Sequence, residues 1–121
     1  MYHFPKVKML RGELKRSEIR HGTKYQLTTK EFIQQRGQTT YRIALDHIIG
    51  FVECDDKEII NHAHRLLGSS RDPYGRAYKI VANIVHLVSP SGVIEQVHVT
   101  FYTRLSRTFA QQLENFLRAA S

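Results

Sequence analysis

The stretch KYQLTTKEFIQQRGQTTYRIAL, residues 24–45, constrains the fold most. Tyr25 and Leu27 alternate with polar residues, and Phe32 and Ile33 open a second apolar run. Tyr41, Ile43 and Leu45 then recur at a spacing of two. Period-two alternation puts side chains on one face of a half-buried strand and is incompatible with a helical stripe. The polar interruptions TTKE and Arg36-Gly37-Gln38 supply turn residues between the runs. The segment therefore predicts a three-strand meander. LRGELKRSEI before it is compatible with a first strand, and IIGFVE after it with a further short one, Gly50 marking a bulge.

The period then changes. In DDKEIINHAHRLLG, Ile59, Ile60, Ala63, Leu66 and Leu67 fall on one helical stripe. Asp55 three residues before Glu58 has the spacing of a capping box, and Gly68 suits the residue after a helix. GSSRDPYGR, residues 68–76, follows as a long loop. YKIVANIVHLV and VIEQVHVTFY flank SPSG, a hairpin signal that pairs Val88 with Val93 and His86 with Glu95. Val93, Val97, Val99 and Phe101 are expected on the inner face of the second strand. Leu105, Phe109, Leu113, Phe116, Leu117 and Ala120 form a closing helical stripe that needs a broad apolar sheet to cover it.

These elements predict an α+β fold with an antiparallel bent sheet or barrel of about 6–7 strands. A helix is inserted near 56–67, and an amphipathic helix closes the chain near 105–120. The whole chain, 1–121, reads as a single domain of ordinary globular composition, 41% hydrophobic and 24% charged.

YQLTTKEFIQQRGQTTYRIALDHIIGFVE, with the final hairpin and helix, resembles the pleckstrin-homology-like superfold in its bacterial PH or GRAM form. The resemblance covers residues 10–53 and 77–120, and segment 55–76 departs from it. It implies a PH-like module that binds through loops, strand edges or oligomer interfaces, with no activity attached to the fold itself. A second, smaller resemblance lies in HRLLGSSRDPYGR and TFAQQLENFL, similar to parts of the bacterial competence transcription factor ComK family. That one implies DNA binding.

Charge is distributed unevenly. Net charge is +7, and residues 1–42 carry ten Lys/Arg against three Glu, while the remainder balances at eight and eight. A positive surface attracts polyanions. The candidate anion- or nucleic-acid-binding residues are Lys6, Lys8, Arg11, Lys15, Arg16 and Arg20, with Arg65, Arg71, Tyr74, Arg76 and Lys79 around the long loop. Arginine forks onto phosphate, and an exposed tyrosine stacks on a base or meets a protein partner. The competing readings are a solvated leader and a solvated connector.

Enzymatic chemistry finds little support. Gly68 follows a helix and no Gly-Lys-Ser/Thr run occurs, so the loop is not a phosphate-cradling P-loop. His62 and His64 diverge by about 200° on a helix, and His86 and His98 fall on opposite sheet faces, so no metal site is expected. The lone Cys54, Ser69 and Ser70 lack a nucleophile context. No cofactor is expected.

No apolar run approaches the roughly 18 residues that span a bilayer, and the N-terminus lacks a signal-peptide core, so a cytoplasmic location is expected. The expectation is a non-enzymatic binding or assembly module for a protein or anionic partner, with homo-oligomerisation through sheet edges open to it. A DNA-binding regulator is the alternative.

Overall fold

The computed structural model describes residues 9–55, 57–58 and 75–120. Among the described residues the chain runs through antiparallel strands β1 (Leu14–Arg20), β2 (Thr23–Thr28), β3 (Glu31–Arg36), β4 (Thr39–Ala44), β5 (Ile48–Glu53), β6 (Arg76–Ser89) and β7 (Gly92–Leu105) to a closing helix, α1 (Arg107–Ala120). A single 3₁₀ turn, Leu45–His47, makes the corner between β4 and β5. The strands curl into a half-barrel with α1 at its open side, the predicted α+β arrangement.

Sheet order follows from the turns. His21 and Gly22 both have positive φ, 48° and 78°, the type I′ geometry that matches strand twist in a two-residue hairpin. Thr28 Oγ1 accepts from the Lys30 and Glu31 amides at 3.0 and 2.9 Å, which turns the chain from β2 into β3. β1 to β4 pair consecutively. The corner then lets both β4 and β5 pair the same side of the long β6, β4 at residues 86–88 and β5 at residues 78–82. β7 pairs the other side of β6 along its length.

Register on the last hairpin is the predicted one. Val88 faces Val93 and His86 faces Glu95, whose carboxylate lies 3.3 Å from His86 Nε2. The predicted inner face of β7 is not continuous. Phe101 is fully buried and Val99 packs against the core, but Val93 and Val97 are 65% and 58% exposed. The cause is His98, a non-glycine residue at φ 54°, opposite Asn83 where the residue-by-residue register lapses. Ala82 and Val85, three apart on β6, both reach the core across this irregularity.

The core is aromatic. Phe109 of α1 packs edge-on to Tyr25 and Phe32, with centroids 6.1 and 5.8 Å away, and Phe101 meets Phe32 and Tyr41. Phe109 and Leu113 are fully buried, and Phe116 and Leu117 pack at the margin. The helix starts two residues later than expected, because Leu105 ends β7 as a buried strand residue. Ser106 caps it: its Oγ accepts from the Phe109 amide at 3.1 Å and donates to Glu18 Oε2 at 3.0 Å. Arg20 donates to the Arg104 carbonyl at 3.1 Å, so β1 and the end of β7 are laced together by side chains.

Of the inserted helix expected near 56–67, Lys57 and Glu58 are helical, and the Glu58 amide donates to Asp55 Oδ1 at 2.8 Å as the capping box requires. The rest of it, with Arg65, Arg71 and Tyr74, lies outside the described residues, as do Lys6 and Lys8.

Candidate functional site

β5 is built to leave a groove. Gly50 falls at a register shift between Ile48 and Gly50, the bulge expected there. The extra residue lets Ile48, opposite Ala82, and Phe51, opposite Ile80, both turn toward the core, and it pushes Ile49 out to 65% exposure. Among the described residues β5 has β6 as its one strand partner, so its other edge is unpaired. α1 lies across this side of the sheet.

Between them run two adjoining clefts of about 410 and 430 Å³, with Phe51 and Glu114 belonging to both. The first is polar at its mouth, where Arg76 and Glu53 pair at 3.3 Å and Arg107 stands exposed on the first turn of α1. Its floor is Phe51 stacked on Tyr78, with centroids 5.1 Å apart and rings 15° from parallel. The second is apolar, walled by Ile48, Ile49 and Leu117, with Arg118 on its rim. A groove with an aromatic floor, one polar end and one apolar end suits an extended chain more than a compact reactant.

Two titratable groups on β6 and at the end of β5 are shifted by their surroundings. Burial pushes the Tyr78 phenol above its ordinary range, with Glu53 adding to the effect. Burial raises the Cys54 thiol as well, helped by the Glu58 carboxylate, so the sulfur is held as the poorly nucleophilic thiol. No group of three or more His, Cys, Asp or Glu side chains able to hold a metal occurs among the described residues. No described helix is long and apolar enough to cross a membrane.

Most of the predicted basic residues that the structure describes sit beside a carboxylate. Lys15 pairs with Glu13 at 3.2 Å, Arg16 with Glu18, and Arg20 with Glu18 at 3.3 Å while lying over the Tyr25 ring. Lys79 pairs with Glu58 at 3.2 Å, and Tyr102 donates to that same carboxylate at 3.1 Å. The Arg11 backbone amide is bound by Glu31, with its side chain exposed. Arg76 lines the groove, whereas Lys79, three residues along β6, pairs with Glu58 beyond it, so the two are not brought together.

Phe51, Tyr78, Arg107, Glu114 and Leu117 escape the sequence-based choice of site. The available signals are Gly50 in a short apolar strand and charged residues bordering the terminal stripe, and neither says that the two segments adjoin. No protein-family model, no curated protein and no solved structure matches this chain.

Proposed function

We propose that the chain is a non-enzymatic PH-like binding module that takes an extended segment of a protein partner into the groove between β5 and α1. The observation that carries this reading is the β5 edge, without a strand partner among the described residues, lying beside an apolar trough. Backbone groups of the edge supply hydrogen bonds to an added strand, and the trough receives alternate side chains from it. The Phe51–Tyr78 stack gives a rigid floor, and the exposed Arg107 offers a cation to an acidic residue at the polar end.

A protein partner is favoured over a polyanion because Lys15, Arg16, Arg20, Arg76 and Lys79 each sit beside a carboxylate. A cation already paired must give up its carboxylate to meet phosphate, which offsets part of the gain.

The test is selection from a displayed random-peptide library on the whole chain, followed by titration of the selected peptides. Ile49→Lys, a change at an exposed position, is expected to weaken binding at least tenfold, about 1.4 kcal/mol, while Arg11→Ala leaves it unchanged. Failure to select any peptide, together with salt-dependent binding of duplex DNA, would replace this reading with the regulator.

A further inference from the structure

A second strand edge has no role in that groove. The edge of β7 facing away from β6 has no strand partner among the described residues. Its two halves differ. Toward the C-terminal end, Arg20 already occupies the Arg104 carbonyl and Thr103 Oγ1 donates to Gln34 Oε1, so that part is tied into the molecule. From Gly92 to Val97 the edge is open, and Val93, Ile94 and Val97 are 65%, 55% and 58% exposed. Soluble proteins commonly guard such an edge with Lys, Pro or a very short strand. Here no lysine or proline lies within Gly92–Val97, and the irregularity at His98 comes only after six residues.

We infer that this open edge pairs with the same edge of a second copy of the chain, antiparallel and about a two-fold axis, joining two half-barrels through one continuous sheet. Charge chooses the occupant. A two-fold interface brings each charge near its own copy, so a self-pairing edge must be locally neutral. β1 fails this condition, with Lys15, Arg16, Glu18 and Arg20 along it. The β7 edge comes nearest to it: Glu95 is the one formal charge between Gly92 and Val97, and the His86 imidazole of the neighbouring strand lies 3.3 Å from its carboxylate. This sparsely charged strip is where a chain of net charge +7 can meet itself with little repulsion.

The strip is narrow. Six residues of edge and three apolar side chains fall short of the roughly 800 Å² per partner of a standard stable interface, so the dimer is weak, with a dissociation constant on the order of 100 μM. An axis on Glu95 would set the two carboxylates directly opposite, so the axis falls on a neighbouring residue.

Sedimentation equilibrium of the whole chain, run from about 5 μM to about 1 mM, tests this. The mass is expected to rise from 14.1 kDa toward twice that value. Val93→Lys and Val97→Lys, both at exposed positions, should each weaken association at least tenfold, about 1.4 kcal/mol. Ile49→Lys, which lies in the other groove, should associate like the parent. That separates this proposal from the peptide-binding one. Amide exchange within Gly92–Val97 should slow with concentration. A mass fixed at 14.1 kDa throughout, a dimer untouched by both lysine variants, or exchange there independent of concentration would each overturn the proposal.

Discussion

Arg42 holds Glu31 with a two-pronged grip: Nε donates to Oε1 at 3.0 Å and Nη2 to Oε2 at 2.6 Å. The Glu31 side chain is only 3% exposed, and its Oε2 also accepts from the Arg11 amide at 2.8 Å. Arg42 Nη2 in turn donates to the Met9 carbonyl at 2.8 Å. One buried carboxylate thus fastens the segment before β1 to the sheet. Arg42→Ala is expected to cost about 3 kcal/mol, because it strands that charge. Arg42→Lys should recover little of it, since an ammonium cannot supply the fork. The double replacement Arg42→Met with Glu31→Leu should come close to the parent, as buried pairs often do when both charges go. Urea denaturation of the four proteins reads all three outcomes, and near-parental stability of Arg42→Ala would remove Glu31 as the anchor.

Gly12 lies in the same strap. The Glu13 amide donates to Thr29 Oγ1 at 3.0 Å and the Thr29 amide to the Glu13 carbonyl at 3.0 Å, so the strap is pressed against the β2–β3 turn. Gly12 has φ +80°, and a Cβ there would collide with Thr29 Oγ1 and stand 2.9 Å from the Lys30 backbone nitrogen. Gly12→Ala therefore adds overlap with the turn to the left-handed strain and should lose about 2 kcal/mol or more. Gly37→Ala has the strain alone, with nothing within 4 Å of the added carbon, and should lose about 1 kcal/mol. Equal losses for the two would show that the strap yields.

Local pattern made the strands and their turns legible, and a short loop made one long-range register legible. SPSG leaves few ways to close a hairpin, so Val88 opposite Val93 and His86 opposite Glu95 could be read from spacing alone. The inner face of β7 could not. Alternation assumes unbroken pleating, and a single residue at positive φ, His98, puts Val93 and Val97 outside while Phe101 stays inside. A histidine gives no warning of that, whereas Gly50 did warn of the bulge on β5. The candidate groove was the least legible feature. It exists because α1 crosses beside β5, more than fifty positions earlier in the chain, and that angle is set by how Phe109 seats between Tyr25 and Phe32. The ion pairing of Arg76 and Lys79 was hidden for a related reason: Arg76 meets Glu53 and Lys79 meets Glu58 only after β5 and β6 have paired.

Cys54 offers a probe of the electrostatics near the end of β5. Burial and the Glu58 carboxylate raise its thiol, while Lys79 pulls the other way. Reaction with a disulfide reagent at pH 8 should therefore be slower than that of a free cysteine, because less thiolate is present. Glu58→Gln removes the stronger-acting of the two nearby negative charges, leaves Asp55 alone against Lys79 and should speed the reaction several-fold. A slower reaction in that variant would show that access to the sulfur controls the rate, in place of charge.

The tyrosines set the alkaline limit. Burial is the first cause that pushes the phenols of Tyr25, Tyr41, Tyr78 and Tyr102 above the ordinary 10.0. In the unfolded chain these groups lose their protons near pH 10, and in the folded protein only at higher pH. Above pH 10 the folded state therefore binds more protons than the unfolded one, so stability is fully present below that pH and falls as pH rises through the folded values. These are four of the six tyrosines in the chain, so the effect should be large enough to follow directly. Absorbance at the phenolate band and far-ultraviolet circular dichroism, recorded together through an alkaline titration, should show most of the ionisation arriving with the loss of sheet signal. Tyr25→Phe removes one of the four phenols and should shift that joint transition to higher pH. A smooth titration centred near 10 that finishes before the sheet signal changes would show that these phenols are open to solvent, and the packing of Tyr25 against Phe109 would have to be redrawn.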